Sequence, residues 1–423
     1  MKSFVCLLLI IAVFVLSGCS YFTVSDIPPE KEGKVLITVL MGESSTDPGI
    51  GDLIRDTIEQ EFPNVELEWE NVDWGEQFSS RLNRKISSGE IPDIIIGKAQ
   101  DIHAFYPTGA LAILPEHFGT YLHPEAAEAG TIDGKLYGLV YNQVYQGVLY
   151  NKNIFYRYNF KVPKTLDDIE KIISRLNSVG ITPFASHFQE TWNTGNLLMQ
   201  FAIEEVFTRE PHWGDLFREE LVSFSTSEDY RFCAEQLQNI YRNTWADSVN
   251  LTQSDTDLRF SEEEAVMYMT GTWSVQRLQA IAPYRKIGIF PYPNRSGDAK
   301  LISEPNLTFM KSAGSANSEL IDNILEMLLS NTELAQTVCL FTQTDSGLKN
   351  VQADSMPMIR EDIDRYREEG RIVNASIGND QLVWAFQYDC ADKMNDFLQG
   401  KTSLKEVFAY CDELRSESAV ELN

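Results

Sequence analysis

The chain has 423 residues, 43% hydrophobic and 23% charged, a globular composition that excludes a disordered, collagen-like or multi-span membrane protein. Thirty-five basic residues stand against 62 acids, a formal charge of −27, which is the wrong sign for gripping nucleic-acid phosphates. At roughly 100 to 200 residues per domain, the length fits two or three domains, or two lobes woven from one chain.

In chain order, the first feature is an apolar run from Phe4 to Leu16 behind the single cation Lys2. It is short of the ~20 residues that span a bilayer and has the length of a signal-peptide core. The run ends in Leu16-Ser17-Gly18-Cys19, which resembles the lipobox of bacterial lipoproteins. That resemblance implies removal of residues 1–18, diacylation of Cys19 and an anchored mature protein on the outer side of the cell membrane. Residues 19–33, polar and carrying Pro28-Pro29, read as a tether.

Lys34 to Leu40 is a compact β-branched run that predicts a strand, with Gly42 to Gly49 as its exit loop. Ile54, Ile58 and Phe62 recur every four residues and predict a helix ended by Pro63-Asn64. Val65 to Trp69 alternates as a second strand, Phe78, Leu82 and Ile86 mark a second helix, and Ile94-Ile95-Ile96 between Pro92 and Gly97 predicts a strand buried on both faces. The unit is βαβαβ. In such sheets ligands lie beyond the carboxyl ends of the strands, which singles out Glu43 and Ser44, the loop Asn71 to Trp74, and Lys98 to Gln100. Further on, Leu320, Ile324, Leu328, Leu334, Val338 and Phe341 predict helices.

The motif order then becomes specific. Phe62-Pro63-Asn64-Val65 with Trp74, Ser88 to Ile94, Gly109-Ala110-Leu111, Asp133 to Gly138, Leu149 to Lys152, Val162 to Asp168, Glu263 to Met269, Gly271-Thr272-Trp273 and Ile287 to Pro291 follow one another over nearly the whole mature chain. In this order they resemble the extracellular solute-binding lipoproteins of ABC importers, specifically the family 1 sugar binders. The resemblance implies an α/β, two-lobed fold of the periplasmic-binding-protein type (type II), each lobe a mostly parallel sheet flanked by helices. It also implies chain crossings near Asn142 to Tyr145, near Ile287 to Phe290 and around Ser312 to Glu319. The first lobe is then expected to hold residues 34–143 and 288–318, and the second residues 144–287 and 319–423.

A sugar offers hydroxyl rims and an apolar C–H face, so its site needs aromatic plates edged by polar groups. Of the seven tryptophans, Trp74 in a strand-to-helix loop, Trp273 after Gly271-Thr272, and Trp192 in a polar stretch with Asn193 have the right settings; Trp69, Trp213 and Trp245 read as packing. The family resemblance adds Trp384 as a late stacking plate, Glu43, Lys98, Gln100 and Asn142 as polar contacts, and Tyr145 as a neighbouring plate. Glu304 and Asn306 lie in a loop that some relatives fill with glycine, and are weaker candidates.

The five histidines show no metal-ligand spacing and no cysteine pair is spaced CxxC, so no metal and no cofactor is expected. Cys233, Cys339, Cys390 and Cys411 allow three pairings, but Cys233 and Cys339 sit in helix-patterned segments among core residues, which argues against two disulfides. The expected protein is not an enzyme. It is a monomer capturing a carbohydrate, an oligosaccharide, by hinge closure and delivering it to the permease subunits of an ABC transporter, touching the membrane through its lipid alone and no nucleic acid. Open alternatives are a secreted glycoside-active enzyme, for which acid pairs such as Glu204-Glu205 carry no weight among 62 acids, and a lipoprotein presenting a ligand to a membrane sensor.

Overall fold

A computed structural model describes residues 33–43, 49–73, 76–351, 355–377 and 384–417. Cys19, the signal segment, Ser44 and Trp74 lie outside the described residues.

The N-terminal βαβαβ unit forms as its periodicity requires: strand β1 (Val35–Glu43), helix Ile50–Glu61, β2 (Val65–Asp73), helix Glu76–Ser88 and β3 (Ile94–Gly97). Ile54 and Ile58 bury one helical stripe, and all four residues of β3 are buried. Later come β4 (Gly138–Val140), β5 (Asn142–Asn151), β6 (Thr182–Ala185), β7 (Ala265–Gly271), β8 (Ile287–Phe290), β9 (Leu301–Pro305), β10 (Thr308–Lys311), β11 (Asp345–Ser346) and β12 (Ile372–Asn374). They make two principal sheets. The first has the order β2-β1-β3-β10-β4; the second runs β12-β9-β5-β7-β6, with β8 and β11 also pairing β5.

Each sheet has its own hydrophobic core, one built around Ile37, Leu40, Ile95 and Phe309, the other around Val148, Leu149, Phe184 and Met267. The two-lobed α/β architecture is therefore present. The sheets are mixed rather than mostly parallel: β1 pairs both β2 and β3 in parallel, but β10 runs antiparallel to β3 and β4, and β5 antiparallel to β7, β8 and β9. β10 enters the first sheet on its return from the other lobe, so its direction is set by the crossing rather than by a helical crossover on the same sheet.

The expected lobe boundaries need correction. Tyr141 belongs to the first core and Tyr145 to the second, so the chain does cross at 142–144. Ile287 to Phe290, however, pairs with β5 and lies in the second core, and the chain returns only between Ile302 and Leu307. Helices Ser318–Ser330 and Thr332–Thr342 bury Ile321, Ile324, Leu325, Leu334 and Val338 in the first core, not the second. The last crossing falls between Val351 and Met356 instead of around 312–319.

Asn142 joins the first two crossings. Its Oδ1 accepts from the Leu307 N–H at 2.8 Å and its Nδ2 donates to Thr344 Oγ1 at 2.8 Å and Thr342 Oγ1 at 3.0 Å, while its carbonyl accepts from the Asn306 N–H at 2.9 Å. One fully buried amide thus ties together the start of β5, the β9–β10 link and the end of helix Thr332–Thr342. Beside it, Arg367 donates to Glu125 Oε1 at 2.9 Å, to Asp345 Oδ2 at 3.2 Å and to the Tyr145 hydroxyl, a buried network connecting a first-lobe helix to a second-lobe helix. Burial alone would raise the Asp345 carboxyl, but Arg360 and Arg367 more than offset it and hold it below the usual range.

Candidate functional site

Where the lobes meet, a cavity of about 370 Å³ opens at the carboxyl ends of β1 and β3. That is the size of a small-molecule cleft. The first lobe contributes Met41, Gly42 and Glu43 from the end of β1, Ile50 from the following helix, Lys98, Leu307, Thr342 and Thr344. Facing them from the second lobe are Trp192, Asn196, Trp273 and Glu304, with Val144 on the crossing strand.

The chain positions Glu43 by helix chemistry. Its Oε1 accepts from the N–H groups of Gly49 and Gly51 at 3.0 and 3.1 Å, at the positive end of helix Ile50–Glu61, and its Oε2 accepts from Asn71 Nδ2 at 2.7 Å. A carboxylate has about four acceptor sites, so one remains for a ligand donor. Lys98 stands between β3 and helix Ala99–Phe105. Its backbone N–H donates to Asp101 Oδ2 at 2.7 Å, and burial pushes the Asp101 carboxyl up to about 6.

Lys98 Nζ lies 3.6 Å from Glu304 Oε1, an ion pair that reaches from one lobe to the other. On the Glu304 side it continues as a file of amides: Gln146 Nε2 donates to Glu304 Oε2 at 2.5 Å, Asn196 Nδ2 to Gln146 Oε1 at 2.9 Å, and Gln200 Nε2 to Asn196 Oδ1 at 2.8 Å. Each amide fixes the orientation of the next, so the Glu304 carboxylate is pre-set before any ligand arrives.

Trp192 and Trp273 meet edge to face, centroids 6.5 Å apart and planes at 69°. They form an apolar corner rather than one flat plate. Trp273 lies back over the chain it leaves, and a Cβ on Gly271 would fall 1.9 Å from its ring, so only glycine admits this pose. Under Trp192 sits His187, fully buried, whose ring meets the indole edge to face at 5.2 Å. Burial pushes His187 down to about 4, so at neutral pH it is an uncharged support.

Of the residues singled out in the sequence, Glu43, Lys98, Trp192, Trp273 and Glu304 come together around this cavity, as does Asn306. Four others stand outside the cavity lining. Asn142 is fully buried and spends its amide on the crossings. Tyr145 is no plate, being fully buried with its hydroxyl inside the Arg367 network. Asn193 is buried and donates to the His187 carbonyl at 2.6 Å. Gln100 is exposed and outside the cavity lining, because the first turn of its helix points it away. Trp384 begins helix Trp384–Leu398, but its side chain lies outside the described positions. Trp213 is buried and Trp245 packs against the second core, while Trp69 packs against the first. Asn196, Thr342 and Thr344 were missed. Asn196 had a signal, since it lies four residues after Trp192 on the same helical face; the threonines had none while their helix was assigned to the wrong lobe.

Among the described residues no group of three or more His, Cys, Asp or Glu could hold a metal ion, and no helix is long and apolar enough to cross a membrane.

Two lobes, three crossings and a polar-rimmed aromatic corner between them define a solute-binding protein of the two-lobed type. The sequence pattern described as bacterial extracellular solute-binding protein matches residues 54–333, more than half of the chain, and the chain belongs to that family. It is 25% identical over 281 residues to the multiple sugar-binding protein of Streptococcus mutans serotype c, a stretch covering 63% of this chain and 64% of that one. It is 24% identical over 230 residues to the melibiose/raffinose/stachyose-binding protein MelE of Bacillus subtilis, covering 52% and 53%. The matches thus span between half and two-thirds of these relatives' length. In fold, the chain superposes on the binding protein MsmE of Bacillus subtilis in an open conformation with a TM-score of 0.79 at 18% identity, covering 91% of this chain and 98% of that one.

Proposed function

We propose that this chain is the extracytoplasmic receptor of an ABC importer for a carbohydrate, an oligosaccharide by preference, held to the membrane by a lipid on Cys19. The observation that carries the reading is the steep corner of Trp192 and Trp273 facing Lys98 and Glu43 across the cleft. Two such faces accept the apolar sides of a bent or branched saccharide, while Glu43, Lys98, Glu304 and Asn196 meet its hydroxyl rim. The names of the relatives, which are binding proteins for sugars rather than enzymes, support the same reading. Ser44, Trp74 and Trp384 remain candidates for the outer part of the site.

Binding would begin on one lobe and end with the other closed over the ligand, whose hydroxyls then take over part of the Lys98–Glu304 pairing. The closed shape is what permease subunits would read. The test is a thermal-shift and calorimetric screen of the chain from Ser20 against mono- and oligosaccharides. A cognate sugar at ~100 times its Kd stabilises by ~2.7 kcal/mol. Trp273→Ala and Trp192→Ala should each weaken it by about 2 kcal/mol, roughly thirtyfold. A panel in which every saccharide leaves the melting curve unmoved, while peptides or polyamines shift it, would sink the carbohydrate reading and leave the family standing.

A further inference from the structure

Cys390 lies on helix Trp384–Leu398 and Cys411 on helix Leu404–Glu413, the two arms of an α-hairpin in the second lobe. Both side chains are buried in that lobe's core, at 5% and 2% exposure, and the Cys411 thiol lies near enough to Cys390 to help keep it protonated. The hairpin is set rigidly. Gly400 turns it with φ +73°, Ser403 and Glu406 close a capping box at the start of the second arm, and Asp412 accepts from the N–H groups of Phe224 and Ser225 at 2.8 and 3.1 Å. The two cysteines are thus placed on neighbouring arms by groups that do not depend on them.

We infer that Cys390 and Cys411 are a cross-linking site, joined by a disulfide in the exported protein. The inference rests on the extracytoplasmic placement proposed above, because disulfides persist where thiols are not kept reduced. Its chemistry needs a co-reactant, a small-molecule or protein disulfide. One thiolate attacks that disulfide, forming a mixed disulfide and releasing one thiol; the second cysteine then attacks the mixed disulfide and releases the other. Two S–H bonds and one S–S bond are exchanged for one S–S bond and two S–H bonds. The neighbouring Cys411 thiol and burial both keep the Cys390 thiol protonated, so exchange is slow in the folded state and fast during folding. Cys233 is buried in the same lobe and Cys339 in the other, and both serve as internal standards.

The experiment compares full-length protein taken from the cell surface with purified protein unfolded and refolded in excess oxidised glutathione. Both are denatured in alkylating reagent without reductant and mapped by peptide mass. The expected result is a Cys390–Cys411 cross-linked peptide in both samples, with Cys233 and Cys339 alkylated. Reduction should then lower the melting temperature by several degrees in the parent and by nothing in Cys411→Ser. A cross-link that disappears in Cys233→Ser overturns the pairing. Free thiols at 390 and 411 after oxidative refolding overturn the site itself. A cross-link made on refolding but absent from surface protein overturns its occurrence in the cell, and sugar-induced thermal shifts, which read the cleft and not the hairpin, tell whether the binding reading stands regardless.

Discussion

Glu204 lies in a π-helical turn, Ile203–Phe207, and is 7% exposed. Its oxygens accept from the Lys300 N–H at 2.9 Å and from Asn294 Nδ2 at 2.8 Å, yet burial pushes the carboxyl up to about 7 from an ordinary 4.5. Between those two values the folded protein holds a proton that the unfolded chain has released. Stability from this group is therefore complete below about pH 4.5 and is lost as pH rises through 7, an effect on the order of 2–3 kcal/mol. His187 works in the opposite sense, since its descent to about 4 makes the folded form gain stability as pH rises from 4 to 6.5. Glu204→Gln removes the first limb and leaves the second. Its melting temperature relative to the parent should therefore climb steadily from pH 5 to pH 7, whatever the offset from the altered hydrogen bonds. A difference that stays level across that range would show that Glu204 is ionised throughout.

The strand β7 ends in Gly271 and delivers Trp273 to the cleft. A methyl group there would strike a half-exposed ring, which can swing away, rather than backbone, which cannot. Gly271→Ala should accordingly fold and melt within a few degrees of the parent, but lose sugar affinity to about the extent of Trp273→Ala, with indole emission shifted to the red. Full affinity in Gly271→Ala would mean that the Trp273 pose does not matter to binding. Much of this architecture could be read from periodicity. The four-residue spacing of Ile54 and Ile58 and the three consecutive isoleucines fixed helix and strand because each pattern states which face is buried. It does not state against what, and so the apolar stripe of Ser318–Ser330 was legible as a helix but not as part of the first lobe. The cleft shows the same division. Glu43 and Lys98 follow from the rule that strand ends converge, whereas a polar residue such as Asn142 looks alike in sequence whether it holds a ligand or ties distant segments of the chain together.

Across the assembled fold, Arg367 touches Glu125 of the first lobe, Asp345 of the short strand β11 and Tyr145 of the second core at once. Removing one partner of a buried ionic network leaves the others uncompensated, at a cost of about 3–5 kcal/mol. Arg367→Met should therefore lower the unfolding free energy in urea by that amount, even though the residue lines no part of the cavity, and a variant as stable as the parent would show that the network contributes nothing. The amide of Asn142, bonded to the first two crossing segments and to the end of the helix Thr332–Thr342 that precedes the third, limits what the lobes can do relative to each other. Segments pinned at a common point cannot slide past one another; they can only swivel. The cleft then behaves as a caliper with a fixed rivet, in which a guest wedged close to the rivet props the jaws wide and the same guest placed at the tips leaves them nearly shut. On the receptor function proposed above, the length of a saccharide and its seat along the jaws would in this way be converted into an angle, a quantity that a second protein could gauge from outside without touching the sugar.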